Sequence, residues 1–216
     1  MLLKINNNNY ILGHYLFNDK KPADLNTDIL MIDYRLRVRK DNFVPIKFLD
    51  KVYIVNKNSF IQNHIKGNLI RKYIVNVVNI IDTIRNNDNI ISIGGEAYLY
   101  GVYLNLKTIN FTNNTDIYND ANKHNLLGNN LVDYNKMKDI NIQKNHNYSM
   151  IINLSKLVVN LLKIINVSNV KLLIIISCHH DDFWKKIKYL SNYKLVSRKQ
   201  FIITNNFITV NCFIPY

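Results

Sequence analysis

Beyond Ser59 the sequence alternates two kinds of apolar pattern, and this alternation restricts the fold more than any other feature. The stretch 61-IQNHIKGNLIRKYIVNVVNIIDTI-84 spaces its apolar residues three and four apart, as a helix does, and runs into a strand-like NIISIGG. The pattern then repeats: LKTINF as a strand, TDIYNDANKHNLL as a helix opened by Thr115 or Asp116, and NNLVDY as a short strand. SMIINL reads as a strand, SKLVVNLLKIINV as a helix, LLIIIS as a buried strand and DDFWKKIKYLSN as a helix with acids at its positive end. Parallel strands need crossover connections, so this order predicts a mostly parallel, doubly wound α/β sheet. The last two runs, in YKLVSRKQFIITNNFITVNCFI, are joined only through ITNN and must form an antiparallel hairpin. Residues 1–56 read as a small β-rich region (YILGHYLF, DILMIDYRLRV and KVYIVN as strands), and residues 57–216 as the main domain.

The remaining bulk properties narrow the class. A chain of 216 residues can bury a full core, and its apolar runs are too short to span a bilayer. No signal-type segment opens it, and two cysteines, Cys178 and Cys212, build no disulfide framework. A soluble protein of a reducing, cytoplasmic compartment is the expectation. Lys and Arg outnumber Asp and Glu 28 to 15, a net charge of +13 that points to a polyanion as large partner, with nucleic acid ahead of a membrane. Asn makes up roughly a sixth of the chain, beside much Ile, Lys and Tyr, so part of the lysine excess reflects an A+T-rich coding bias of the sort found in large DNA viruses or protists.

A parallel α/β sheet closed by a C-terminal hairpin is the arrangement of class I S-adenosylmethionine-dependent methyltransferases. Within that group, 174-IIISCHHDDFWKKIKYLSNYKLVSRKQFIITNNFITV-210 resembles the end of the RNA uracil-C5 methyltransferases, where a strand ends in Ser-Cys-Asn-Pro before a helix and a final strand pair. The segment 58-NSFIQN-63 is similar to that family's Phe-Phe-Gln-Val-Asn. The likeness covers roughly residues 50–214.

The resemblance implies a set of roles. In the family a cysteine thiolate adds to carbon 6 of uracil, carbon 5 then takes the methyl group, and a base removes the proton. Cys178 falls on the nucleophile position, at the end of a strand and before a helix whose N-terminus can lower a thiol pKa. Read without the family, a free cysteine is more often a small packed hydrophobe. The family's base is a Glu, and Ile208 stands in its place. The family's Asp-Pro-Pro-Arg aligns with 153-NLSK-156, leaving Asn153 in place of the acid. The implied cofactor contacts are Gln62, Gly94 and Gly95, Asp116 as the nearest acid after the second strand, Asp133 beside the adenine, and Asn153. The family's narrow Gly-x-Gly turn is replaced by Glu96, Ala97 and Tyr98, so the S-adenosylmethionine site is either rebuilt or lost.

Other chemistries find little support. His179, His180, Asp181 and Asp182 are adjacent, so their side chains diverge, and no metal site is expected; the histidines read as loop, with Asp181 or Asp182 capping the helix. No hydrolase elbow or phosphate-binding Gly-Lys loop is present. Basic stretches at 35-RLRVRK-40, 184-WKKIKYLSNYK-194 and 198-RK-199 interleave cations and aromatics in a way that suits RNA, and suits a solvated face almost as well. Two readings follow: a methyltransferase-like protein with eroded catalysis and a nucleic-acid-binding or assembly role, possessing protein partners or self-association, and an active RNA methyltransferase with Cys178 as nucleophile.

Overall fold

A computed structural model describes residues 3–5, 8–10, 43–62, 66–85, 89–136, 148–168, 170–203 and 206–216. The strands read in YILGHYLF and DILMIDYRLRV, and the basic run 35–40, lie outside those residues apart from Tyr10. Two short hairpins come first: β1 (Leu3–Ile5) with β2 (Asn8–Tyr10), and β3 (Phe43–Phe48) with β4 (Lys51–Asn56). β4 is the KVYIVN strand, whereas β3 falls in a stretch read as a connection. Its apolar Val44, Ile46 and Phe48 are interrupted by Pro45, which masks a strand pattern.

The main sheet has seven strands in the order β10-β11-β9-β8-β5-β6-β7. Helix α1 (Gly67–Arg85) leads into β5 (Asn89–Ile93), α2 (Ala97–Leu104) into β6 (Lys107–Thr112), and α3 (Thr115–Ala121) into β7 (Gly128–Leu131). Then come β8 (Tyr148–Asn153), α4 (Val159–Asn166), β9 (Val170–Ser177), α5 (His180–Ile187) and the hairpin of β10 (Tyr193–Ile203) and β11 (Asn206–Pro215). Strands β5 to β9 are parallel, while β11 runs antiparallel to both β9 and β10. The expected doubly wound sheet with a terminal hairpin is therefore what the chain forms.

Two cores sandwich the sheet. On one face, Ile70, Ile74 and Val78 of α1, the apolar residues of α2, and Phe48 and Val55 of the β3–β4 hairpin pack on Ile90, Ile151, Ile174 and Val210. On the other, Leu161, Leu162 and Ile165 of α4 and Phe183 of α5 cover Ile91, Met150, Leu173 and Ile175. Odd and even residues of each central strand thus serve opposite cores, which is why these strands read as continuous apolar runs.

Three local features depart from the sequence reading. Helix α1 begins at Gly67 rather than near Ser59, because residues 59–62 are held by tertiary hydrogen bonds instead, and the Gln62 carbonyl fills the space a side chain at 67 would need. Helix α3 does open at Thr115, with Asn114 ahead of it accepting from Ile117 N–H, but at α5 the cap position is His179 and Asp181 and Asp182 lie inside the first turn. Helix α2 was not legible at all: AYLYGVYL is apolar on every side, with no stripe to read.

Candidate functional site at the carboxyl ends of the strands

In open α/β sheets ligands bind outside the carboxyl ends of the strands, where the strand order reverses. Here that point lies between β5 and β8, and it brings together Gly94 and Gly95 after β5 with Asn153 at the end of β8. Both glycines have positive φ, +70° and +48°. Gly94 N–H donates to Phe111 O across to β6 at 2.9 Å, which fixes the turn.

What lies against the glycines is the protein's own chain. A methyl group on Gly95 would sit 2.9 Å from the backbone oxygen and the side-chain amide of Asn153. One on Gly94 would strike Leu154 Cδ2 and lie 3.3 Å from the Tyr134 hydroxyl. Tyr134 is buried and donates from its hydroxyl to Phe111 O at 3.2 Å; burial pushes its pKa up to about 12.

Glu96 follows, 1% exposed, and its carboxylate is fully engaged. Arg71 of α1 donates from Nε to Oε1 at 2.9 Å and from Nη2 to Oε2 at 2.6 Å, and Gln62 N–H donates to Oε2 at 3.1 Å. Arg71 also donates to Gln62 O, Lys47 O and Asn68 Oδ1, so one guanidinium ties α1, β3, the 59–62 segment and the turn after β5. Burial opposes the Arg71 charge, yet the Glu96 carboxylate more than offsets this and its pKa is raised. Gln62 Nε2 reaches Asn153 Oδ1 at 3.4 Å, while the Asn153 Nδ2 is buried without a hydrogen-bond partner.

The other residues of interest are more scattered. At the end of β6, Thr112 is buried and is followed by Asn113 and the capping Asn114. Asp116 lies in the first turn of α3. Asp133 is exposed; it accepts from Asn135 N–H and is 3.8 Å from Lys136 Nζ. Gln62, Gly94, Gly95 and Asn153 thus converge, whereas Asp116 belongs to α3 and Asp133 to the turn after β7 that it shares with Asn135 and Lys136. Cys178 is exposed directly after β9, and its thiol pKa is raised by desolvation despite a backbone hydrogen bond, opposite to the lowering expected from the helix N-terminus. Asp181 and Asp182 sit in the first turn of the helix that follows Cys178. Ile208 packs in the core with Phe201 and Val210. Among the described residues no group of His, Cys, Asp and Glu could hold a metal, and no helix is long and apolar enough to cross a membrane.

The partner that sequence reasoning missed is Arg71. Its signal was present: it stands between Ile70 and Ile74 on the apolar stripe of α1, where an unpaired charge would be costly. A second buried acid also escaped notice. Asp120 accepts from Asn56 N–H and Ser59 Oγ, both at 2.6 Å, and from Lys123 Nζ at 2.7 Å, fastening the end of β4 to α3.

The sheet order, crossover helices and terminal hairpin define the class I methyltransferase fold, and solved structures bear this out. The chain is similar to the Pyrococcus abyssi tRNA (uracil-54, C5)-methyltransferase in complex with S-adenosyl-L-homocysteine, with a TM-score of 0.59 and 16% identity over 81% of this chain and 45% of that one. It is similar to the aTrm5 protein of a complex with tRNALeu (0.51, 14%, 81% and 53%) and to a delta-N METTL16 MTase domain (0.50, 11%, 69% and 84%). The chain spans less than half the length of the first of these and about half of the second. At such identities the likeness is one of fold. No protein-family model and no curated protein matches the sequence.

Proposed function

We propose that this chain is a methyltransferase-fold protein that has given up methyl transfer and retains the fold as a nucleic-acid-binding or assembly component. The observation that carries this reading is the Arg71–Glu96–Gln62 linkage beside two glycines whose free faces are already filled by Asn153 and Leu154. S-adenosylmethionine needs an open glycine turn for its methionine part and an acid for its ribose hydroxyls. The glycine turn here is packed against β8, Glu96 is spent on Arg71, and Thr112, Asn113 and Asn114 close β6 without an acid. These residues do not fit the cofactor. Supporting the nucleic-acid part are the net charge of +13, the tRNA (uracil-54, C5)-methyltransferase to which the chain is similar and the tRNALeu bound by the aTrm5 protein. Calorimetric titration with S-adenosylmethionine and S-adenosylhomocysteine tests the first half: no heat of binding at millimolar ligand is expected, and micromolar affinity would overturn it.

The second reading, an active RNA methyltransferase, is favoured by one observation: Cys178 is exposed at the carboxyl end of β9, where a nucleophile of this fold would stand. It requires a base that Ile208 cannot be. Methyl transfer to RNA that disappears in Cys178→Ala, with the fold unchanged, would establish it.

A further inference from the structure

We propose that the outer edge of the sheet, strand β10 with helix α5, is where a single-stranded nucleic acid lies, its bases stacking on the Arg198–Trp184 pair. This rests on the nucleic-acid reading above and adds the place and the form of the ligand.

Charge comes first. From Phe183 to Tyr216 the chain contains Lys185, Lys186, Lys188, Lys194, Arg198 and Lys199 and not one Asp or Glu. All but Lys186, which pairs with Asp182, belong to exposed positions of α5, its following turn and β10. No side chain of β10 or β11 carries a negative charge, and the two acids of α5, Asp181 and Asp182, stand in its first turn with Asp182 paired to Lys186, so this edge offers a polyanion a net attraction.

The cations are also organised on rings. The Arg198 guanidinium carbon lies 5.3 Å from the centre of the Trp184 ring, and Trp184 is 40% exposed. Lys199 Nζ lies 5.2 Å from the Tyr73 ring and 6.0 Å from Phe201. Arg198 and Lys199 are successive residues of a strand, so they stand on opposite faces of the sheet, one above α5 and the other above α1. The edge is therefore flanked by positive charge on both sides. Tyr189, in the turn after α5, carries Lys188 and Lys163 at 5.5 Å each.

Lysines on an edge strand also discourage unwanted pairing of strands. That role alone does not call for a planar cation laid on an exposed indole, beside exposed Leu195, Val196 and Ile202. A stacked guanidinium and indole present a flat, polarisable platform, which is what unpaired bases use irrespective of sequence. Bases inside a duplex cannot reach such a platform, so a single strand is the form that fits. An acidic peptide would satisfy the charge but not the stacking.

Trp184 is the chain's only tryptophan, so its fluorescence reports on this edge without any substitution. The experiment titrates the protein with oligouridylate at low salt, following Trp184 emission and the anisotropy of a labelled oligonucleotide together. Quenching and anisotropy are expected to give the same midpoint, to weaken together as salt rises, and to shift about tenfold in Arg198→Ala while Lys107→Ala on β6 stays near wild type. An anisotropy change with unmoved Trp184 emission and an unaffected Arg198→Ala places the nucleic acid elsewhere and overturns this inference alone. No anisotropy change at all removes the nucleic-acid reading with it. Equal quenching by an oligoglutamate of the same charge makes an acidic protein segment the occupant and overturns the assignment.

Discussion

Arg71 and Glu96 face each other edge to edge, two N–H groups of one side chain on two oxygens of the other, with side chains only 5% and 0% exposed. A pair this deep stands by its completeness, since the other Arg71 hydrogen bonds go to oxygens of Gln62, Lys47 and Asn68 and its guanidinium carbon lies 5.1 Å from the centre of the Phe48 ring. Removing one partner leaves the other charged and buried. Arg71→Met is accordingly expected to lower stability by about 3–5 kcal/mol, and Arg71→Met combined with Glu96→Leu to recover most of that loss. Urea denaturation of the two variants checks this; a double variant as unstable as the single one would show that the pair's electrostatics are not what holds the turn.

Gly95 admits no side chain. Its φ of +48° and the 2.9 Å approach of Asn153 predict that Gly95→Ala costs about 2–3 kcal/mol, through both backbone strain and the clash. Trimming Asn153 to Ala in the same chain should restore little, because the Asn153 backbone oxygen is as close as its side chain. Thermal and urea unfolding of the two variants measure it, and a stable Gly95→Ala would mean the turn is looser than its contacts.

The two thiols should separate cleanly with pH. Cys178 is exposed and its pKa is raised by desolvation; Cys212 is buried beside Tyr73, its pKa pushed up to about 11. Alkylation by iodoacetamide is expected to modify Cys178 alone in the folded protein, at a rate still climbing above about pH 8.5, the ordinary cysteine value. Mass spectrometry of the modified peptide reads the outcome. A rate already level at neutral pH would reveal a poised thiolate and revive the catalytic reading.

His124 packs between the rings of Tyr53 and Tyr98, and desolvation lowers its pKa, aided by Lys123 and resisted by Asp120. The unfolded imidazole, near 6.5, therefore binds its proton at higher pH than the folded one. This contribution to stability is present above about pH 6.5 and is lost as the pH falls through the folded value. The urea midpoint should drop between pH 7.5 and pH 5 by more in the wild type than in His124→Gln, and proton NMR of His124 should titrate below 6.5. Equal drops in the two proteins would assign the acid sensitivity to other groups.

Periodicity carried most of the fold, because a sheet buried on both faces and helices buried on one leave distinct apolar spacings. It failed at α2, whose apolar residues surround the helix, and at β3, where Pro45 breaks the run. The convergence of Gln62, Gly94, Gly95 and Asn153 was legible through the family resemblance. Their being engaged with one another was not, since nothing in spacing tells whether a glycine yields room to a ligand or to its own neighbouring strand. The apolar stripe of α1 marks Arg71 as buried, but the partners of Arg71 and Asp120 lay beyond reach for a related reason: they stand 25 residues away at Glu96 and 61 at Ser59, distances that local patterns do not encode.

Strand β11, made after β10, is nevertheless the one that joins β10 to β9. A chain synthesised only as far as Ile203 would hold β10 with no rung to grip, its lysines and exposed Trp184 flank hanging beside an unfinished sheet. The order of emergence from the ribosome thus differs from the order across the sheet, and the basic edge has its full backing only once residues 206–215 are paired on both sides.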